Sequence, residues 1–225
     1  MKTVLITGAS KGIGLATAKK FLDNGWQVIG TYLNTQSQLE NPNLKMVKYD
    51  QSDSESISNL AKEVSKIMPQ VDSLINNAGI LIDGDDGVAD PVKVKKTLEV
   101  NVIGVVGITE KLLPLFHEGS HIINIDSGYG LFSVPIDDEY AAGYRISKAA
   151  LNMYTRHLAF RLKPRGIIVS SLAPGYVQTD MGYSIATEKV KPNRTPEEAG
   201  SDIFNLVMTV KETGQFWEFG EKLEW

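Results

Sequence analysis

T-G-A-S-K-G-I-G, residues 7–14, follows directly on the apolar run at 3–6, and a helical pattern of Ile13, Ala16, Thr17 and Phe21 begins before the stretch has ended. The reading is strand, glycine turn, helix. Gly8, Gly12 and Gly14 lack the Cβ that would obstruct a tight turn, the approach of backbone to a pyrophosphate, and close packing of helix on strand. The N–H groups of the helix's first turn would then face an anion. A glycine triplet alone also suits an ordinary surface turn. Its place after the first strand marks it as a nucleotide site.

Outward from this turn, β-branched apolar runs at 27–32, 44–49, 71–76, 121–125, 167–172 and 214–219 alternate with amphipathic stretches near 13–24, 53–67, 91–116, 140–162 and 196–210. Asp90 before Pro91 has the form of an N-cap with proline at the first helical position, and Ser52 with Glu55 and Thr195 with Glu198 have capping-box spacing. This alternation predicts an α/β fold: a doubly wound, Rossmann-like parallel sheet of seven strands with helices on both faces. With no repeat, low-complexity tract or linker, residues 1–225 are expected to form one domain.

Composition narrows the function classes. A chain of 225 residues, 42% hydrophobic and 22% charged, can bury a substantial core. No apolar run approaches the ~20 residues that span a bilayer, and the first one breaks at Gly8, too early for a secretory signal. A cytoplasmic protein without membrane attachment is expected. The absence of cysteine excludes disulfides, thiolate catalysis and cysteine-bound metal. His117, His121 and His157 lack metal-ligand spacing, so no metal is expected. A net charge of -4 lacks the basic footprint of a nucleic-acid binder.

Further motifs follow in order: Asn76-Asn77-Ala78-Gly79, then Asn101, then Ser127 in I-N-I-D-S-G-Y-G, Tyr144 and Lys148 in Y-R-I-S-K, and Pro174-Gly175 with Val177 and Thr179. Together with the Gly-x-x-x-Gly-x-Gly turn they resemble the short-chain dehydrogenase/reductase superfamily over nearly the whole chain, and within it the small bacterial carbonyl reductases and sniffer-like members. The resemblance implies catalytic roles for Asn101, Ser127, Tyr144 and Lys148, with Asn101 positioning a water in a proton relay and Lys148 binding the nicotinamide ribose. It implies a dinucleotide site drawn from Gly8, Ser10, Lys11, Gly12, Ile13 and Gly14 of the turn, from Thr31, Asp50 and Gln51, from Asn77, Ala78 and Gly79, and from Pro174, Gly175, Val177 and Thr179 beside Tyr144 and Lys148. Asp50 would accept the adenine amine.

The residues themselves can do this chemistry. Tyr144 and Lys148 are four apart in a helical stretch and project from one face. Tyrosine titrates near ~10, so a neighbouring ammonium is expected to favour the phenolate and fit Tyr144 for general acid–base work. Ser127 would steady the developing negative charge on a substrate oxygen. An acidic residue ending the second strand would select NAD; residues 31–34 read T-Y-L-N, without one, and Lys11 stands where NADP-dependent relatives carry a basic group. NADP(H) is therefore expected over NAD(H). The segments 128–143 and 180–193 would wall the pocket, with Leu131, Phe132, Val134, Tyr176, Met181 and Tyr183 making it apolar. Leu131, Tyr176 and Met181 join Ser127 and Tyr144 as expected substrate contacts. Asp126 puts a charge beside Ser127, and the sequence leaves its orientation open.

The expected activity is NADPH-dependent reduction of an uncharged aldehyde or ketone by a homodimer or homotetramer. An alcohol dehydrogenase working oxidatively and a cofactor-binding sensor are the alternatives.

Overall fold

Strand β1 (Thr3–Ile6) is buried along its whole length, and its side chains alternate between two cores. In the computed structural model, which describes residues 1–136 and 138–225, Leu5 faces one side of the sheet while Val4 and Ile6 face the other. Asp137, within the segment expected to wall the pocket, lies outside the described residues. The period-two alternation is that of a strand covered on both faces.

The other strands are β2 (Gln27–Tyr32), β3 (Leu44–Lys48), β4 (Ser73–Asn76), β5 (His121–Ile125), β6 (Ile168–Ala173), β7 (Gln215–Glu218) and β8 (Glu221–Leu223), in the order β3-β2-β1-β4-β5-β6-β7-β8. All neighbours are parallel except β7 and β8. The order reverses between β1 and β4, and the crevice beyond their carboxyl ends is where such sheets bind ligands. The eighth strand corrects the expected seven: Phe219 and Gly220 both take positive φ, 52° and 81°, forming the two-residue hairpin turn whose twist suits paired strands.

Helices α1 (Gly12–Asp23), α2 (Ser54–Ile67), α3 (Pro91–Leu98), α4 (Val105–Leu112), α5 (Ala142–Leu162), α6 (Asp180–Ser184) and α7 (Pro196–Thr209) complete the domain. On one face Phe21 of α1 meets Trp26 and Phe204 of α7 edge-on at 4.8 and 5.1 Å. On the other, Leu60 and Val64 of α2, Ile108 and Leu112 of α4, and Leu158 and Leu162 of α5 cover Leu5, Ile29, Leu74 and Ile122. Among the described residues no helix is long and apolar enough to cross a membrane.

Two local expectations change. The start of α2 is capped by Asp53, whose carboxylate accepts from the N–H groups of Glu55 and Ser56, while Ser52 turns its hydroxyl to Asp50. The stretch 91–116 is not one α-helix: Glu99–Gly104 is a π-helical turn, and Leu113–Leu115, containing Pro114, is a 3-10 turn. A Cβ on Gly104 would lie 2.1 Å from the Gln51 carbonyl oxygen. Gly104 thus lets the end of the π-helical turn pack directly on neighbouring backbone. The caps at Asp90 and Thr195 form as expected, the latter with the full reciprocal box to Glu198.

Candidate active site

The turn after β1 is built around missing side chains. Gly8 and Gly12 have φ of 67° and 53°, and a Cβ on Gly14 would lie 2.2 Å from the Gly8 carbonyl oxygen. Neighbouring groups hold this shape: Thr31 Oγ1 accepts from the Gly8 N–H at 3.0 Å, and Asn77 Nδ2 donates to the carbonyls of Thr7 and Gly8 at 2.8 and 3.1 Å. The Thr7 hydroxyl in turn accepts from the N–H groups of Asn77 and Ala78. The β1 turn and the Asn76–Gly79 element are therefore one structure at the sheet's switch point. It is a turn packed so closely on itself that a Cβ at Gly8 or Gly14 would crowd its own atoms, followed at once by the N-terminus of α1, an arrangement whose backbone N–H groups suit a pyrophosphate.

The second half of the site hangs from α5. This helix starts at Ala142 behind Ala141, whose φ is 58° and whose methyl cannot cap it. Asp83, from the loop after β4, does so instead, accepting from the Gly143 N–H at 2.6 Å while almost fully buried. A buried bond of this kind, once broken, leaves an unsatisfied group costing about 1–3 kcal/mol. One residue further along stands Tyr144. Asn101, 1% exposed in the π-helical turn, exchanges bonds with the backbone of Ile80 and donates to Ser147 Oγ at 3.1 Å. The Ser147 hydroxyl in turn donates a hydrogen bond to the Tyr144 carbonyl at 2.7 Å. Asn101 thus fixes the turn that carries the tyrosine.

Ser127, Tyr144 and Lys148 come together beyond the end of β5. The Ser127 hydroxyl lies within hydrogen-bonding reach of the Tyr144 phenol, and Lys148 Nζ lies 5.4 Å from the centre of that ring. Lys148 is 6% exposed and donates to the Ile125 carbonyl at 2.7 Å, leaving two donors for other partners. The electrostatics differ from the expectation. Burial and the Asp126 carboxylate hold the Tyr144 phenol above its ordinary range, with the Ser127 hydrogen bond opposing them. The Lys148 ammonium, itself pulled down by burial, is not what governs the phenol. Asp126 turns inward, not outward, which answers the question its sequence position left open.

The remaining expected contacts divide. Asp50 is partly exposed, its carboxyl held low by the Ser52 hydroxyl and N–H. The amide of Gln51 is buried and donates to the carbonyls of Ala78 and Val100 at 2.9 and 2.8 Å, bracing the β4 loop against the π-helical turn. Thr31 is likewise buried and serves the glycine turn. Lys11 forms an exposed ion pair with Asp180 at the cleft mouth. Pro174 and Gly175 are gripped by Arg194, which donates to the Pro174 carbonyl at 2.6 Å, and Thr179 caps α6 by accepting from the Gly182 N–H. Leu131, expected to touch substrate, is buried and packs against Ala173 and Phe216. Tyr176 remains at the cleft beside Tyr129, whose ring meets that of Tyr144 edge-on at 6.4 Å. Met181 is half-buried on α6.

A family model for short chain dehydrogenase matches residues 2–190. The chain belongs to the short-chain dehydrogenase family. It is 32% identical over 215 residues to the short-chain dehydrogenase anuI of Penicillium roqueforti, covering 86% of this chain and 85% of that one. Among solved structures it is similar to the NADPH-bound carbonyl reductase from chicken fatty liver, with a TM-score of 0.89 and 28% identity over 100% of this chain and 99% of the other. The carbonyl reductase Sniffer of Drosophila melanogaster matches with a TM-score of 0.88 at 25% identity, over 100% of both chains. As a short-chain dehydrogenase the protein is an oxidoreductase with a Rossmann-like domain.

Three residues of this short-chain dehydrogenase site escaped the sequence reading. Asp83 and Ser147 carry no local signal, because their partners lie 60 and 46 positions away. Tyr129 had one: it sits in the same G-Y-G turn as Ser127, and Arg145 stacks 3.9 Å from its ring centre.

Proposed function

We propose that the protein reduces an uncharged aldehyde or ketone to the alcohol with NADPH. The observation that carries this is the placing of Ser127, Tyr144 and Lys148 at the carboxyl end of β5, beside the glycine cradle. A nicotinamide bound there would supply the hydride. Tyr144 gives its proton to the carbonyl oxygen, and Ser127 donates a hydrogen bond to that oxygen as charge grows on it. The two free donors of Lys148 suit ribose hydroxyls, and Asp50 is an acceptor for an adenine amine. A phenol held above its ordinary range stays protonated at neutral pH, so the proton to be delivered is present on Tyr144 before the carbonyl arrives. The presence of a serine, a tyrosine and a lysine together at the end of β5 supports turnover over sensing.

The uncharged substrate follows from the pocket's cations. Arg145 stacks on Tyr129 but pairs with Asp138 at 2.9 Å, and Arg194 pairs with Asp202 at 2.7 Å, so neither offers a free charge to a substrate carboxylate. Tyr129 and Tyr176 supply an aromatic wall. A homo-oligomer is part of the same reading: Ile146, Met153 and Phe160 stand exposed at seven-residue intervals along α5, a stripe a second copy would cover.

Lys11 suits a 2′-phosphate. Its pairing with Asp180 is fully exposed and screened, hence easily exchanged for a stronger anion. The test is to follow absorbance of the reduced nicotinamide with a panel of aromatic aldehydes and ketones. Turnover with NADPH is expected, and Lys11→Ala is expected to weaken NADPH on the order of tenfold while sparing NADH. Equal losses for both cofactors would remove the phosphate argument, and no turnover with any carbonyl would remove the function.

A further inference from the structure

We propose that Asp126 is a positioning residue of this site, a buried carboxyl group whose gain or loss of a proton sets the charges of Lys148 and Tyr144. The inference rests on the reductase reading above and adds to it a group that biases the direction of proton transfer.

Asp126 is the first residue beyond β5, and its N–H donates to the Leu172 carbonyl at 2.8 Å, which locks it between β5 and β6. It is 2% exposed. Oδ1 accepts from the Ser127 N–H at 2.9 Å, whereas Oδ2 has no hydrogen-bond partner among the described residues. The titratable and charged groups that face it are Lys148 and Tyr144, both from α5. From β6 comes the Ser171 hydroxyl, which is shared with Asn152 Oδ1 and Thr155 Oγ1. Lys148 is bonded to the carbonyl of Ile125, the residue just before the aspartate.

A strand-end aspartate that served only to bond the next N–H would do so from the surface, where its charge is hydrated. Here the charge is withdrawn from water and set against an ammonium and a phenol. Burial pushes the carboxyl up to about 7, against the pull of Lys148, the Ser127 N–H and Ser171. The group therefore changes charge near neutral pH, exchanging its proton with water. As a carboxylate it opposes loss of the Lys148 proton and opposes ionisation of Tyr144. As a carboxylic acid it releases both.

The signs follow. A nearby negative charge disfavours the phenolate, so Asp126→Asn should make Tyr144 easier to ionise. The acid limb of the pH profile for alcohol oxidation is expected to move down by about one pH unit in that variant. For carbonyl reduction, wild-type kcat is expected to fall as pH rises through about 7, because a more acidic phenol is the better donor; this inflection should vanish in Asp126→Asn. Independent of turnover, carbon-13 NMR of aspartate-labelled protein should show one carboxyl, absent in Asp126→Asn, titrating near neutral. Its midpoint should rise in Lys148→Met, which removes the opposing ammonium. Asp126→Ser serves for assignment if the amide variant does not fold.

A midpoint in the ordinary range near ~4, or one unmoved by Lys148→Met, overturns the proposal. So do identical pH profiles in wild type and Asp126→Asn. Should no carbonyl be reduced while the carboxyl titrates near neutral and responds to Lys148, the reductase reading fails and the coupling stands.

Discussion

Tyr144→Phe is expected to lower kcat for carbonyl reduction by about 10²–10⁴-fold, the usual worth of a positioned general acid, while dinucleotide affinity stays at the wild-type value. The change removes one oxygen. The ring that meets Tyr129 edge-on at 6.4 Å and lies 5.4 Å from Lys148 Nζ is retained, so packing at the start of α5 should survive. Lost are the proton that the substrate oxygen must receive and the hydrogen bond between the phenol and Ser127. Steady-state turnover with NADPH, alongside a fluorescence titration of NADPH binding, separates the two effects. Wild-type kcat in the variant would show that the proton comes from elsewhere. A parallel collapse of affinity and turnover would point instead to a structural role for the hydroxyl.

Gly14→Ala should weaken dinucleotide binding by about tenfold to a hundredfold and lower the thermal midpoint as well. The added methyl would lie 2.2 Å from the Gly8 carbonyl oxygen and 2.6 Å from Asn77 Nδ2. Neither can retreat cheaply. Gly8 is held by Thr31 through its N–H and by Asn77 through its carbonyl, and Asn77 is held by Thr7. Overpacking of this kind costs about 1–3 kcal/mol or more, and each 1.4 kcal/mol taken from the binding-competent loop is about a factor of ten in affinity. Thermal melts and the same fluorescence titration read both quantities. Unchanged affinity would mean that the cradle after β1 is not where the dinucleotide's phosphates sit.

These two expectations were reachable by different routes. The Gly14 argument needs only the spacing of glycines after an apolar strand, although the 2.2 Å contact that gives it a magnitude belongs to the folded chain. Tyr144 and Lys148 were legible as a pair from their four-residue separation, and their company with Ser127 from motif order. Their electrostatics were not. The spacing brings an ammonium near a phenol and implies an acidic tyrosine; in the structure Lys148 gives one of its donors to the Ile125 carbonyl, and a carboxylate from outside its helix has the larger influence on the phenol. Charges add over space, and sequence distance gives no measure of that.

The misplaced elements share a cause. Phe219-Gly220 lacks the Asn-Gly form that usually announces a tight hairpin, and Phe219 keeps its positive φ with Arg194 stacked 4.5 Å from its ring centre. The π-helical turn at Glu99–Gly104 ends on a glycine packed so closely on the Gln51 backbone, some fifty residues earlier, that no side chain would fit there. Gln51 and Leu131 went to the interior because the braces and apolar contacts waiting there, Ala78 with Val100 and Ala173 with Phe216, come from remote segments.

The sequence by itself determined the alternation of strands and helices, the glycine turn, the helix caps at Asp90 and Thr195 and the residues proposed to handle the proton, because period, capping and backbone freedom are local properties carried by adjacent side chains. Tertiary structure alone decided which carboxylates face the site. Asp83 caps α5 and Asp126 acts on the tyrosine and lysine because the order of parallel strands brings β4, β5 and α5 to one end of the sheet, where burial amplifies each charge that water no longer screens.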